Sequence, residues 1–154
     1  MIEVNNLTRR FIDKAFLRKV ALAVLKKEGK ETAEVSVALV GVKKAAALNK
    51  KYRKKDTAAN VLSFPFGEES ILSEVEGSEI KGYLGEIVLC PQQVQKEAGK
   101  YGMIFKEALA WMLIHGLLHL LGYDHEQAQD AKQMEQKERF YLERFSDSYI
   151  RINS

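Results

Sequence analysis

Apolar residues recur at every fourth position early in the chain. Ile12, Phe16, Val20 and Val24 form one stripe, the spacing of a helix that buries a single face. Thr8 is placed to cap it and Gly29 to stop it, so the pattern predicts a helix from about Thr8 to about Glu28. The period then shortens. EVSVALVGV, residues 34–42, is rich in β-branched residues and predicts a strand, and so do VLSFPF at 61–66 and Tyr83 to Leu89. Pro65 marks the end of its strand or a sheet edge, because proline cannot donate to a ladder. Ile2 to Val4 forms a further short strand candidate. Helical patterns cover Lys43 to Lys54, then Pro91 to about Tyr101 with the proline at the first turn, then Met103 to Leu121, and finally Gln127 to Phe145. Gly67 to Gly82, acidic and glycine-bearing, is expected to be a solvated loop or hairpin, and Ser146 to Ser154 a frayed tail.

This alternation predicts an α+β fold, a small sheet with helices on at least one face. No linker or repeat divides the 154 residues, so residues 1–154 are expected to form one domain. With 46% hydrophobic and 29% charged residues and two prolines, the composition excludes global disorder. The longest uncharged apolar stretch, Ala108 to Leu121, spans 14 residues. A membrane span needs about 20, so the stretch predicts a buried helix. MIEVNNLTRR at the N-terminus has no apolar signal segment, and Cys90 has no second cysteine to pair with. A cytoplasmic protein is the expectation. The net charge of +3 does not announce nucleic acid, but residues 43–55 carry seven basic residues and no acid. Such a patch suits a polyanion, or a solvated helix face.

The candidate chemistry lies in HGLLHLLGYDH, residues 115–125, which holds all three histidines of the chain. On a helix, His115 and His119 project from one face about one turn apart. Gly122 can end that helix in a left-handed conformation and swing His125 back toward the pair. Three neutral imidazoles with a fourth position left for water describe a catalytic zinc site, one ion per chain. The spacing H-x3-H-x2-G-x2-H matches the metzincin proteases at every ligand and at the glycine. It departs where those enzymes carry their glutamate base, since this chain has Gly116. Glycine inside a helix costs about 1 kcal/mol relative to alanine, which points to close approach of a ligand, another backbone or a neighbouring helix.

HGLLHLLGYDH, with LNKKYRKKDTAANVLSFPF at 48–66 and GYLGEIVLC at 82–90, closely resembles the YbeY family of bacterial single-strand-specific, metal-dependent endoribonucleases. The resemblance runs from the first helix to about residue 145. It implies a mixed sheet of about four strands packed with about five helices, and a zinc ion on His115, His119 and His125. It also implies hydrolysis of single-stranded RNA, acting on the 3′ end of small-subunit ribosomal RNA and in ribosome quality control, with no membrane or DNA partner. The family's functional arginine falls on Arg53. The chain departs at Asp56-Thr57-Ala58-Ala59-Asn60, where the family commonly reads D-x-PTN, and at Glu86, where the family often has aspartate.

From these residues Arg53 is the candidate to clamp phosphate oxygens as charge develops there, and Lys50, Lys51, Lys54 and Lys55 are candidates to bind the RNA backbone. Asp124 and Glu86 are candidate acceptors for the second N–H of a ligating imidazole. Cys90 as a fourth ligand and Tyr52 and Tyr123 as base-stacking rings are weaker assignments. Two other classes stay open. A non-catalytic assembly factor would hold a structural metal, for which four protein ligands are usual. A metalloprotease would need a base from elsewhere, such as Glu86 or Glu126.

Overall fold

Four strands form one mixed sheet in the order β1-β2-β4-β3. They are β1 (Ile2–Asn6), β2 (Glu34–Leu39), β3 (Val61–Pro65) and β4 (Tyr83–Leu89). β1 and β4 both run parallel to β2, and β3 closes the sheet antiparallel to β4. The computed structural model describes residues 1–67, 82–124 and 127–146, so the acidic stretch expected as a loop lies mostly outside the described residues, as does the tail after Ser146. Ser146 itself is buried. Among the described residues there are five helices: α1 (Lys14–Lys27), α2 (Val42–Arg53), α3 (Pro91–Tyr101), α4 (Phe105–Leu120) and α5 (Ala128–Leu142). None of them alone is long and apolar enough to cross a membrane.

The sheet separates two apolar clusters. On one face Val35, Val37, Leu39, Ile87 and Leu89 pack with buried residues of α1, α3, α4 and α5. On the other, Leu62, Phe64 and Val88 pack with Ala45 and Leu48 of α2. Side chains alternate faces along a strand, which explains how neighbouring residues such as Ile87 and Val88 join different clusters. α4 is the hub, packed against α1, α3, α5, β3 and β4. Its apolar residues leave no broad polar face, as suits a helix buried nearly all round. Gly116 is where it meets the sheet. A Cβ there would stand 3.1 Å from Ile87 Cγ2 and Ser63 Oγ and 3.2 Å from Val61 Cγ2. The missing side chain thus admits sheet side chains, not another helix or backbone.

Most predicted boundaries hold within a few residues. The exception is the start of α1, which begins at Lys14 with Asp13 as its cap, Asp13 Oδ1 accepting from the Phe16 N–H at 3.0 Å. Thr8 instead closes a turn after β1, where its N–H and hydroxyl both donate to Asn6 Oδ1, at 3.0 and 2.6 Å. Threonine and aspartate are both good caps, and Asn6 captured the threonine. Pro65 does lie on an edge strand.

Gly85 and Glu86 show how tightly β4 is set. Pairing with β2 shifts register between Glu34 and Val35, whose partners are Tyr83 and Gly85, so Leu84 is an extra residue in β4, as in a bulge. Gly85 has φ +141, and a Cβ on it would fall 2.3 Å from the Phe64 carbonyl oxygen. Glu86 pairs with Phe64 and shares its face, the α2 side. Its Oε1 is buried without a hydrogen-bond partner among the described residues. Burial pushes this carboxyl above its ordinary value, against the pull of Lys44.

Two stability changes are expected. Gly85→Ala should cost more than about 2 kcal/mol in urea unfolding, since both φ and the Phe64 carbonyl oppose a side chain. A cost near zero would mean that the bulge tolerates a Cβ. Glu86→Gln should stabilise the protein at neutral pH. A raised folded-state pKa means the parent loses stability as pH climbs from the ordinary 4.5 through the raised value. The advantage of the glutamine should therefore vanish below that range. An equal advantage at pH 4 and pH 8 would contradict this origin.

Candidate functional site

The last turns of α4 bring His115 and His119 together. Their rings meet edge to face with centroids 4.6 Å apart, and their Nε2 atoms lie 3.1 Å from each other. His115 Nδ1 is 3.1 Å from Glu138 Oε2 on α5. An ionised carboxylate can only accept, so this contact places the proton on Nδ1 and leaves the Nε2 lone pair facing His119. The other oxygen of Glu138 accepts from Trp111 Nε1 at 2.9 Å. One carboxylate thus ties α5 to two successive turns of α4.

Two nitrogens bound to one tetrahedral zinc at 2.0–2.1 Å would be separated by about 3.3 Å. The observed separation fits that closely, and the carboxylate behind His115 is the usual companion of a ligating imidazole. Among the described residues no three His, Cys, Asp or Glu side chains surround one point. His125 and Glu126 lie outside the described residues. The turn leading toward them is well defined. Gly122 has φ +99, its N–H donates to the His119 carbonyl at 3.0 Å, and the Tyr123 N–H donates to the Leu118 carbonyl at 3.0 Å. A positive φ at this position is the conformation that glycine accepts readily.

Arg53 ends α2 and reaches the edge of the sheet. Its Nη2 donates to the Ser63 carbonyl at 2.7 Å and its Nη1 to the Tyr52 carbonyl at 3.1 Å, with the guanidinium 5.3 Å above the Phe64 ring. Ser63 also donates its hydroxyl to the Gly116 carbonyl at 3.1 Å. Ser63 therefore links Arg53, through β3, to the carbonyl of Gly116, the residue after His115. Lys50, Lys51, Lys54 and Lys55 are all exposed around the end of α2. Lys54 adopts the left-handed conformation that caps this helix.

Glu86 faces α2, so the sheet stands between its carboxylate and the histidine helix. Asp124 is exposed in the turn after α4. Cys90 is buried with Val40, Leu62 and Phe64 on the α2 side. Tyr52 packs edge-on against Phe64, with centroids 5.2 Å apart. Tyr123 donates its hydroxyl to Glu28 Oε1 at 2.7 Å.

Glu138, Trp111 and Ser63 are the residues in contact with the candidate site that sequence reading does not single out. A signal for one of them exists. Glu138 lies four residues after Met134 and three before Tyr141, both buried, so it is a carboxylate on an apolar helical stripe. Such an acid needs a partner.

The family model for Endoribonuclease YbeY matches residues 3–146. An Endoribonuclease YbeY from Staphylococcus saprophyticus is 42% identical over 104 residues, covering 68% of this chain and 67% of that protein. One from Staphylococcus carnosus is 35% identical over 126 residues, covering 80% and 81%. A solution structure from Thermotoga maritima aligns with a TM-score of 0.63 at 31% identity over 93% of this chain and 87% of that one. With agreement of this extent in sequence and in fold, the chain belongs to the endoribonuclease YbeY family.

Proposed function

We propose that this chain is a zinc-dependent endoribonuclease that cuts single-stranded RNA in the cytoplasm and acts in maturing the 3′ end of small-subunit ribosomal RNA. The observation that carries the metal reading is the His115–His119 pair, its Nε2 atoms 3.1 Å apart with Glu138 behind His115. Family membership supports RNA as the substrate. His115, His119 and His125 would hold the ion. When bound, a zinc ion on three imidazoles acts as a Lewis acid and lowers the pKa of its water to about 7.

The protein's own part is positioning. Glu138 keeps the His115 proton on Nδ1. Arg53, oriented by the Ser63 and Tyr52 carbonyls, presents a planar cation at the strand edge joined to α4, and there it would stabilise charge on the scissile phosphate. The lysines at the end of α2 guide the RNA backbone. Position 116 cannot supply a peptidase base: it has no side chain, and sheet atoms crowd the place where one would start.

Metal-loaded protein should cleave unstructured RNA while sparing duplex RNA and casein. Chelator-sensitive cleavage of casein, lost in His119→Ala, would reverse the choice of substrate. Under single-turnover conditions Arg53→Ala should keep its zinc and its fold yet cut RNA on the order of 100-fold more slowly, with Arg53→Lys recovering little. Unchanged cleavage would remove Arg53 from the mechanism, and lost zinc would make its role structural.

A further inference from the structure

The carboxylate of Glu28 stands where elementary electrostatics disfavours it. It follows α1 directly as the C-terminal cap, at the negative end of the helix dipole. It is also partly buried, and burial works against its charge. Three donors reverse the balance. Tyr123 Oη donates to Oε1 at 2.7 Å, Lys137 Nζ to Oε2 at 3.1 Å, and Tyr141 Oη makes a short hydrogen bond to the same Oε2. Together the two tyrosines and the lysine hold the carboxyl below its usual range. The Lys137 ammonium also lies 5.8 Å from the centroid of the Tyr123 ring.

These donors come from two places with different consequences. Tyr141 and Lys137 belong to α5, the helix that presents Glu138 to His115. Tyr123 belongs to the turn after α4, where the main chain is already pinned by the Gly122 and Tyr123 N–H bonds to α4 carbonyls. Its hydroxyl adds an anchor 95 residues away in sequence. Two residues beyond Tyr123 stands His125.

We propose that Glu28 is a positioning residue for the metal centre: through the Tyr123 hydroxyl it fixes the chain that leads to His125, while its bonds to Lys137 and Tyr141 serve only to hold α5 against the end of α1. The inference rests on the reading of His125 as a ligand. Its physical content is preorganisation. A ligand whose approach is fixed before the ion arrives loses less conformational freedom on binding, and partners behind the ligands typically change metal affinity 10–100-fold.

Tyr123→Phe and Tyr141→Phe each delete one hydroxyl from the same carboxylate, which makes them a matched pair. Zinc affinity of the full-length protein, measured by competition with a chromophoric chelator, should fall at least about tenfold in Tyr123→Phe. It should stay near the parent value in Tyr141→Phe, although both variants lower the melting temperature of the metal-free protein. A simple stabilising role would instead move both affinities together, and that result, or an unchanged Tyr123→Phe, overturns the proposal. Glu28→Gln provides a second route. Its weaker acceptor should also lower affinity, and parental affinity in that variant counts against the proposal. His125→Ala separates the two levels. Parental affinity there removes His125 as a ligand and the proposal with it. A large loss there beside an unaffected Tyr123→Phe overturns the positioning role alone.

Discussion

The structure depends most on one shared carboxylate. Glu138 accepts from Trp111 and from His115, residues one turn apart on α4, and so joins the hub helix of the fold to the orientation of an imidazole. Free rotation of the His115 ring would leave Nε2 without a fixed direction. With Nδ1 engaged, Nε2 must point toward His119. Turning the ring would break a charge-assisted hydrogen bond in a partly buried place, where such bonds are stronger than in water.

α4 carries two duties that conflict locally. It must be apolar enough to pack on the sheet and three other helices, yet it must present imidazoles at its end. Gly116 marks the compromise. The glycine weakens the helix by about 1 kcal/mol relative to alanine, but it lets α4 settle onto Val61, Ser63 and Ile87. That close approach puts the Ser63 hydroxyl on the Gly116 carbonyl, and Ser63 in turn receives Arg53. Packing of helix on sheet therefore brings the basic end of α2 toward the histidine helix.

Local features were legible in the sequence where local chemistry decides them. Pro91 opens α3 and Tyr101 ends it as expected. Pro65 lies on an edge strand, and Gly122 takes the positive φ that its place after α4 requires. The start of α1 was misplaced because two good caps competed and a side chain from the preceding strand, Asn6, took one of them. The partners of the candidate site were not legible. Whether Glu86 faces α2 or α4 depends on the register of β4, and that Glu138 reaches His115 depends on how α5 crosses α4. Both are tertiary facts without a period in the sequence, although an acid on the Met134–Tyr141 stripe was a clue.

Zinc affinity of Glu138→Ala tests most directly whether Glu138 sets the direction of the His115 imidazole for the proposed metal. Competition titration against a chelator should show affinity about 10–100-fold below that of the parent, in protein whose circular dichroism confirms a retained fold. Parental affinity in a folded Glu138→Ala would contradict the account, because His115 would then find its direction without the carboxylate.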